Sequence, residues 1–302
     1  MRVSGAVLKS PRMKKARLNK LSEMSHEKEE GNPKEKGKLH DLPKFHPHQS
    51  SRIEKTLAVM SGKGGVGKSA ITALIAITLR RRGYEVGIFD ADVTGPSIPK
   101  SLGIKGEILV SEEGMVPRLS STGIKVISMN LILPREDEAV IWRGPLISNA
   151  IGQFYEQTIW GVLDFLLIDL PPGTADVPLT IMQSIPLNGI IMVTSPQELA
   201  GMIVAKAARM ASLLDAPVLG LIENMSYMTC PHCGGKIEPF GNSNGDDAAR
   251  KMGIPFLGRL PLEGEVSRLA DDGNLESFDS EEIENVMGSV ADLIGGYRED
   301  EK

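Results

Sequence analysis

The sequence predicts an α/β protein whose mostly parallel, doubly wound sheet follows a disordered N-terminal tail. Three observations lead to this prediction. The 302 residues are 41% apolar, 24% charged and 4% aromatic, which is typical of a globular protein. From residue 56 onward, short β-branched runs alternate with segments of helical periodicity, as they do in βαβ units. No internal repeat of about 20 to 50 residues is visible, which argues against a solenoid.

The predicted elements alternate along the chain. Each strand is an apolar, β-branched run, and these runs are found at 57–61, 85–90, 125–128, 165–169, 189–194, 218–224 and 256–260. Apolar residues recur with a helical period in the segments 68–82, 145–157, 198–214, 243–252, 264–271 and 281–295. No apolar run approaches the length of about 20 residues that a membrane span needs. We therefore expect a soluble body whose strands share one sheet.

Charge divides the chain into a basic tail and an acidic body. Residues 1–50 hold 12 Lys and Arg against 6 Asp and Glu, whereas the rest of the chain has a balance of −11. The tail has few large apolar groups, so we expect it to be disordered. Residues 1–20 are basic like a transit peptide, but the following segment is rich in Glu, and we favour a cytoplasmic location. The predicted organisation is a tail at 1–50, a folded domain at 51–297 and an acidic end at 298–302.

The segment 62–69 carries a phosphate-binding motif. Its sequence, GKGGVGKS, matches G-x-x-x-x-G-K-S/T between a predicted strand and a predicted helix, which is the context that this motif requires. Glycines let backbone N–H groups wrap around phosphate oxygens, and the helix N-terminus adds its partial positive charge. We expect Lys68 to bridge the β- and γ-phosphates of ATP and Ser69 to bind Mg²⁺. The expected nucleotide-binding residues of this ATPase domain are Gly62, Lys63, Gly64, Gly65, Val66, Gly67, Lys68 and Ser69.

Three aspartates follow apolar strands and are candidates for the same site. Asp90 ends the second predicted strand, Asp92 follows it, and Asp169 ends the strand 165–169 like a Walker B acid. Because ligands of parallel sheets bind at the carboxyl ends of the strands, these carboxylates suit Mg²⁺-dependent chemistry. We expect Asp169 to hold the metal through water, Asp92 to orient or activate the attacking water, and Asp90 to support either.

Lys63 places a second lysine beside Lys68, where its charge costs repulsion unless an anion lies between them. In this feature the sequence resembles the deviant Walker A, or MinD-like, P-loop ATPases. The resemblance implies that Lys63 reaches across a dimer interface to the nucleotide of the other subunit. Related ATPases also use an Asn where Asn224 ends the predicted strand 218–224, and its amide could read the adenine edge. A structural cap is the alternative for Asn224.

The only cysteines are Cys230 and Cys233, which form a C-x-x-C pair around His232 in a predicted loop, 225–240, that is a candidate for binding a metal or a cluster. Two cysteines cannot make a disulfide framework, and the body has no other histidine with which to build a histidine-based site. Zinc sites and [4Fe–4S] clusters usually need four ligands, which a two-fold dimer could supply as two from each chain. Bridging [4Fe–4S], bridging zinc and a redox dithiol remain open, although the Gly-Gly after Cys233 argues against the dithiol. The pair is expected about six residues past the strand 218–224.

The combined motifs resemble the Mrp/ApbC branch of the MinD-like family, the iron–sulfur cluster carrier ATPases. The matching stretches are 62–69, 92–97, 169–174, 224–226 and 230–233. Similarity covers about residues 52–295. The resemblance implies a homodimeric ATPase that binds a bridging [4Fe–4S] cluster and transfers it to apo-proteins. The tail lacks the additional cysteine cluster of the eukaryotic scaffold-type relatives, so a stable second cluster is not expected.

A positioning or partitioning ATPase, with a bridging zinc or a structural cysteine pair, is the competing function. Such proteins bind membrane or DNA through an amphipathic terminal helix or a basic surface. The segment 281–302 is acidic, which argues against membrane binding, and only the basic tail keeps DNA binding open. We therefore expect a homodimer with apo iron–sulfur proteins as partners and no membrane, and we do not favour nucleic acid.

Overall fold

The computed structural model describes residues 44–92, 97–128, 144–173, 176–196, 206, 208–212, 214 and 216–295, the side chains of 144–150 and 176 excepted. These residues belong to one unit that runs from Leu42 to Lys302. Within the described ranges, no helix is both long and apolar enough to cross a membrane. The predicted tail up to residue 43, the acidic end 298–302 and parts of the motifs 92–97 and 169–174 lie outside the described residues.

A nine-stranded sheet forms the centre of this unit. The strands span Arg52–Ser61 (β1), Val86–Asp90 (β2), Arg118–Leu119 (β5), Lys125–Ser128 (β6), Val162–Asp169 (β7), Gly189–Thr194 (β8), Val218–Thr229 (β9), Lys236–Ile237 (β10) and Phe256–Pro261 (β11), and a separate hairpin joins Leu109–Val110 (β3) to Met115–Val116 (β4). Their spatial order is β10, β9, β8, β1, β7, β2, β6 and β5, and β11 also pairs with β9. The pairs are parallel except β5 with β6 and β10 with β9, so the sheet is mostly parallel as predicted.

Helices cover both faces of the sheet and bury it. They span Lys68–Arg81 (α1), Ser97–Ser101 (α2), Gly144–Gln157 (α3), Asp176–Ser184 (α4), Gly245–Met252 (α5), Gly264–Asp271 (α6) and Glu281–Gly295 (α7). Leu57 and Val59 of β1 belong to one core with α1 and α7, whereas Ala58 and Met60 belong to the other with α3 and α4. Because both faces are covered, β2 and β8 are buried along their whole length, which explains their continuous apolar sequence.

Predicted and observed elements differ mainly at their ends. β1 begins five residues before the predicted strand, and β9 continues five residues beyond it, to Thr229. No prediction covers α4, whose Pro178 lies in the first turn, where a missing N–H costs little. The short strands β3, β4, β5 and β10 also lack a prediction, since two residues show no period. The predicted helix 198–214 lies mainly outside the described residues, although 208–212 are helical.

Residues 44–50, which the sequence assigns to the tail, lie against the folded body. The Lys44 ammonium donates to the carbonyl of Gln183 over 2.6 Å, and the Phe45 N–H donates to the carbonyl of Ser184 over 2.8 Å. The Phe45 ring packs so closely on Gly152 of α3 that a Cβ there would lie 2.3 Å from it. The folded body therefore begins by Lys44 and not at residue 51, because one partly buried aromatic ring anchors an otherwise polar segment.

Candidate nucleotide site and cysteine hairpin

The predicted phosphate loop joins β1 to α1 in a fixed backbone conformation. The Ser61 hydroxyl donates to the carbonyl of Lys63 over 3.0 Å, and the Ser61 carbonyl accepts from the N–H of Gly173 over 2.9 Å. Gly67 has a φ of 80°, in the left-handed region that favours glycine. A Cβ at Gly67 would also lie 2.3 Å from Nδ2 of Asn224, so this position has no room for a side chain.

The polar side chains at the start of α1 contact one buried carboxylate, that of Asp169. The Lys68 ammonium lies 2.7 Å from Asp169 Oδ2, and the Ser69 hydroxyl donates to the same oxygen over 2.6 Å. The other oxygen, Oδ1, accepts from the Thr72 hydroxyl over 2.7 Å. Lys68 is 6% exposed and Asp169 is fully buried, so the two charges compensate each other away from water. This arrangement brings together the lysine, the hydroxyl and the Walker B acid that the sequence predicts.

The second aspartate, Asp90, lies beside Asp169 at the carboxyl edge of the sheet. The two residues are register partners on β2 and β7, and Asp90 is fully buried. It accepts hydrogen bonds from the Ser128 hydroxyl over 2.9 Å and from the N–H of Asp92 over 3.1 Å. Burial, and then the nearby Asp169 carboxylate, raise the pKa of Asp90 well above its usual value. A raised pKa disfavours the charged carboxylate that Mg²⁺ binds, so the surroundings of Asp90 suit the supporting role better than direct coordination.

Asp92 and Lys63 are the most accessible of the predicted catalytic residues. The Asp92 side chain is 13% exposed, and its Oδ2 lies 3.9 Å from the Lys68 ammonium. It therefore faces the phosphate loop from the end of β2. The Lys63 side chain is partly exposed and forms no hydrogen bond or ion pair with the part of the chain that the structure describes. The Lys63 ammonium is therefore available to bind a group outside these residues.

Asn224 lies next to the phosphate loop on β9, but the prediction that it ends the strand is wrong. Its side-chain amide is buried and donates to the carbonyl of Val66 over 2.9 Å. The next residue, Met225, has a φ of 57° and is the one non-glycine residue with positive φ in the described ranges. A left-handed conformation at a residue with a long side chain is strained and persists only where its surroundings enforce it. Contact with the phosphate loop thus coincides with an irregularity of β9, after which the strand resumes.

The cysteine pair lies at the tip of the hairpin formed by β9 and β10. Cys230 directly follows β9, so the predicted separation of about six residues from the strand is wrong. The N–H of Cys230 donates to the carbonyl of Gly235 over 2.8 Å, and the N–H of Gly234 donates back to the carbonyl of Cys230 over 2.9 Å. Both cysteines are free, and Cys233 is exposed. The two sulfurs are therefore presented to solvent by a short, closed turn, which we call the cysteine hairpin (residues 228–237).

The same turn activates one of the two thiols. Backbone N–H groups of His232 and then of Cys233 donate to the sulfur of Cys230, and these bonds lower the pKa of the Cys230 thiol. Thiolates are the form of cysteine that binds metals and clusters. Among the described residues, no group of three or more His, Cys, Asp and Glu side chains could hold a metal ion. The described part of one chain thus offers a pair of sulfurs and not a complete metal site.

Two residues of the nucleotide site, Thr72 and Ser128, were not predicted from the sequence. Thr72 lies one helical turn after Lys68, on the same face of α1, and this spacing could have indicated it. Ser128 ends β6, next to β2, and it contacts Asp90 only because the two strands pair in register. No local signal in the sequence identifies Ser128.

Comparisons with known proteins show which family the chain belongs to. A family model described as ParA: NUBPL iron-transfer P-loop NTPase matches residues 52–294. The chain belongs to this family. This iron-transfer P-loop NTPase is 42% identical over 255 residues to an iron–sulfur cluster carrier protein of Methanocaldococcus jannaschii, with 82% of this chain and 88% of the relative covered. It is 41% identical over 237 residues to an iron–sulfur cluster carrier protein of Clostridium perfringens, with 76% and 83% covered.

Solved structures show the same fold. A nucleotide-binding protein of Archaeoglobus fulgidus, solved in complex with ADP and with cobalt, is 44% identical and has a TM-score of 0.68, with 76% of this chain and 90% of that chain covered. The cell division ATPase MinD of Pyrococcus furiosus has a TM-score of 0.57 at 18% identity, with 80% and 99% covered. At that identity the likeness concerns the fold alone. The predicted MinD-like P-loop NTPase fold and the resemblance to iron–sulfur cluster carriers are confirmed.

Proposed function

We propose that this iron-transfer P-loop NTPase is a homodimeric, ATP-hydrolysing carrier that binds a [4Fe–4S] cluster between its subunits and passes it to apo-proteins. One observation carries the proposal. The cysteine pair, of which Cys230 is partly exposed and Cys233 exposed, directly continues β9, and the same strand contacts the phosphate loop through Asn224. A nucleotide site and a sulfur site therefore share one structural element, as a carrier that responds to ATP requires. The names of the curated relatives support the identity of the cargo.

The groups around Asp169 account for the nucleotide part of the proposal. The Ser69 hydroxyl and the Asp169 carboxylate place hard oxygen donors side by side next to the phosphate loop, and this donor set fits Mg²⁺. Bound with ATP, Mg²⁺ would offset the negative charge of the phosphates. Lys68 would contact the phosphates, and Asp92, accessible beside it, would orient the attacking water. Asn224 stays a candidate for contact with the base, because its side chain borders the loop.

Lys63 links ATP hydrolysis to the dimer in this proposal. Its ammonium forms no hydrogen bond or ion pair with the described part of its own chain, which suits a role at the nucleotide of the second subunit. A site completed by a residue of another chain is competent only in one arrangement of the dimer. We therefore expect slow, Mg²⁺-dependent turnover, with ATP favouring the arrangement in which Lys63 reaches across.

The cluster part of the proposal follows from the number of sulfurs. A [4Fe–4S] cluster usually takes four thiolates, and each cysteine hairpin supplies Cys230 and Cys233. Two hairpins related by a two-fold axis would supply all four. Because each chain contributes only half of the ligands and the turn is exposed, a change in the subunit arrangement would loosen the cluster and allow its transfer. Location in the cytoplasm, apo-proteins as partners, and no role for membrane or nucleic acid complete the proposal.

Anaerobic reconstitution of the full chain tests this function. Wild-type protein incubated with iron and sulfide should gain a broad visible absorbance band, about four iron and four sulfide per dimer, and the mass of a dimer. The Cys230→Ala, Cys233→Ala double variant should gain none of these. Lys63→Ala is the matched control, since it leaves both cysteines in place: it should load the cluster normally but hydrolyse ATP more slowly.

Three results would count against the proposal. A double variant that still loads iron and sulfide would place the cluster elsewhere. Wild-type dimers that retain zinc and take up no iron would favour the competing function, a positioning ATPase with a bridging zinc. A salt-dependent DNA shift that disappears when residues 1–43 are deleted would favour a partitioning ATPase.

A further inference from the structure

The cysteine hairpin leaves the body of the protein at Tyr227. There β11 makes its last pairing with β9, Pro261 with Tyr227, and the N–H of Leu262 donates to the carbonyl of Tyr227 over 2.6 Å. Beyond this point, among the residues that the structure describes, β9 pairs with the two residues of β10 alone. An isolated two-stranded hairpin is at best marginally stable in water, so the sheet alone does not fix its orientation.

Side chains from three other segments converge on Tyr227 at this point. The ring of Tyr227 is buried, and the Lys236 ammonium of β10 lies 3.9 Å from its centroid. The guanidinium of Arg259 on β11 lies 5.4 Å from the same centroid. Both distances are within the range of cation–π attraction. The Tyr227 hydroxyl donates to Glu282 at the start of α7, and Lys236 forms an ion pair with the same carboxylate at 3.0 Å.

Arg259 connects the two ends of the hairpin to a buried anchor. Its Nε donates to the Ser226 hydroxyl over 2.7 Å, and its Nη2 donates to Glu238, the residue after β10. The Ser226 hydroxyl donates in turn to Glu223, whose carboxylate is buried and lies 3.8 Å from Arg259 Nε. Arg259 is only 34% exposed, so these contacts are better shielded than an ordinary surface ion pair.

We infer that Tyr227, Lys236, Glu238, Arg259 and Glu282, the hairpin clamp, are positioning residues that hold the cysteine hairpin at the angle needed to share a cluster. The inference rests on the proposed function. From Tyr227 to Cys230 the strand rises about 10 Å, so a swing of about 20° would move the sulfur by about 3 Å. A shift of this size exceeds a metal–sulfur bond of about 2.3 Å and would remove the sulfur from a site shared with a second chain.

Hydrogen exchange and cluster lifetime, measured on the same full-length variants, test the clamp. Arg259→Gln removes the central cation, and Lys236→Gln removes the cation on the exposed hairpin without touching the body. Arg268→Gln is the matched control, because Arg268 forms comparable ion pairs with Glu265 and Asp272 on and beside α6. The double variant Lys236→Glu, Glu282→Lys restores an ion pair with reversed charges.

In metal-free protein, amide exchange in the cysteine hairpin should rise on the order of tenfold in Arg259→Gln and less in Lys236→Gln, with no change in the Arg268→Gln control. The reconstituted cluster should be lost to an iron chelator several times faster in the two clamp variants, whereas ATP affinity stays at the wild-type value. The charge-reversed pair should recover slow exchange and most of the cluster lifetime relative to Lys236→Glu alone.

The outcomes separate this inference from the proposed function. Wild-type exchange rates in both clamp variants would refute the clamp, as would faster exchange with an unchanged cluster lifetime. Wild-type protein that loads no iron would refute the proposed function only, because the exchange measurement needs no metal and still decides whether the clamp orders the hairpin. If Arg259→Gln fails to fold, the Lys236→Gln variant tests the clamp instead. The Lys236 side chain is 62% exposed on the hairpin, so we expect its replacement to leave the fold intact.

Discussion

Replacing Thr72 with valine removes one of the three groups that hold the buried carboxylate of Asp169. The Thr72 hydroxyl has one proton and donates it to Asp169 Oδ1 over 2.7 Å, in preference to the helical carbonyl of Lys68 at 3.0 Å, because the carboxylate is charged. Lys68 and Ser69 both contact the other oxygen, Oδ2. Valine has nearly the same shape as threonine, so the substitution removes the hydrogen bond without opening a cavity.

The expected cost follows from the burial of both partners. Thr72 and Asp169 are each fully buried, so water cannot replace the lost donor. A hydrogen bond to a charged group is worth about 1.5–3 kcal/mol, and the upper part of that range applies because Oδ1 loses its hydroxyl partner. For a domain of this size, a loss of about 2–3 kcal/mol lowers Tm by about 4–10 °C.

Urea and thermal unfolding of nucleotide-free protein measure this cost. The control is Thr78→Val, the same substitution at a buried position of α1 that lies away from Asp169. Thr72→Val should be less stable than this control by at least about 1.5 kcal/mol. A difference within about 0.5 kcal/mol, the usual scatter of neutral substitutions, would refute the reasoning that Thr72 stabilises the Walker B carboxylate.

Three further predictions concern charge. Asp169→Asn leaves the buried Lys68 ammonium without its nearest counter-charge, so the unfolding free energy should fall by about 3–5 kcal/mol and calorimetry should detect no Mg²⁺-dependent ATP binding; an unchanged urea midpoint would contradict this. The turn lowers the pKa of Cys230 below 9.0, so alkylation of Cys230 in a Cys233→Ser variant should have a pH midpoint below that of a cysteine peptide, and an equal midpoint would contradict this. Burial alone would raise the pKa of Glu276, but hydrogen bonds from residues 120–122 lower this pKa below its usual value of 4.5. The ionised carboxylate therefore stabilises the fold above pH 4.5, and this stabilisation is lost as the pH falls through the folded-state pKa. Glu276→Gln should therefore lower the urea midpoint at pH 7 but leave it unchanged at a pH below the folded-state pKa. An equal decrease at both pH values would contradict this prediction.

The sequence predicted those parts of the site whose chemistry is local. The loop 62–69, the helix after it and the strands ending in Asp90 and Asp169 each carry a contiguous pattern, because a phosphate nest and a buried parallel strand depend on neighbouring residues. The meeting of these segments could be inferred only in general terms, from the rule that parallel strands bind ligands at their carboxyl ends. The contact of Thr72 with Asp169 did not follow from that rule, since it depends on how α1 is rotated against the sheet.

The course of β9 shows the limit of local patterns most clearly. The apolar run ends at Asn224, so the sequence places a strand end there, yet β11 and then β10 supply hydrogen-bond partners as far as Thr229. A strand is defined by its neighbours as well as by its own residues, and these neighbours lie later in the chain. For this reason the cysteine pair is the tip of a hairpin and not part of a free loop.

The sequence by itself therefore determined the family, the fold class, the phosphate loop and the presence of one cysteine pair, because each of these depends on short patterns of residue type. Only the tertiary structure decided that Asp90 is buried against Asp169, that Asn224 contacts the phosphate loop, and that Arg259 contacts Glu238 beside the cysteine hairpin. These contacts join residues far apart in the chain. Their energies come from burial and from the alignment of charged groups, which exist only once the sheet has set the register of its strands.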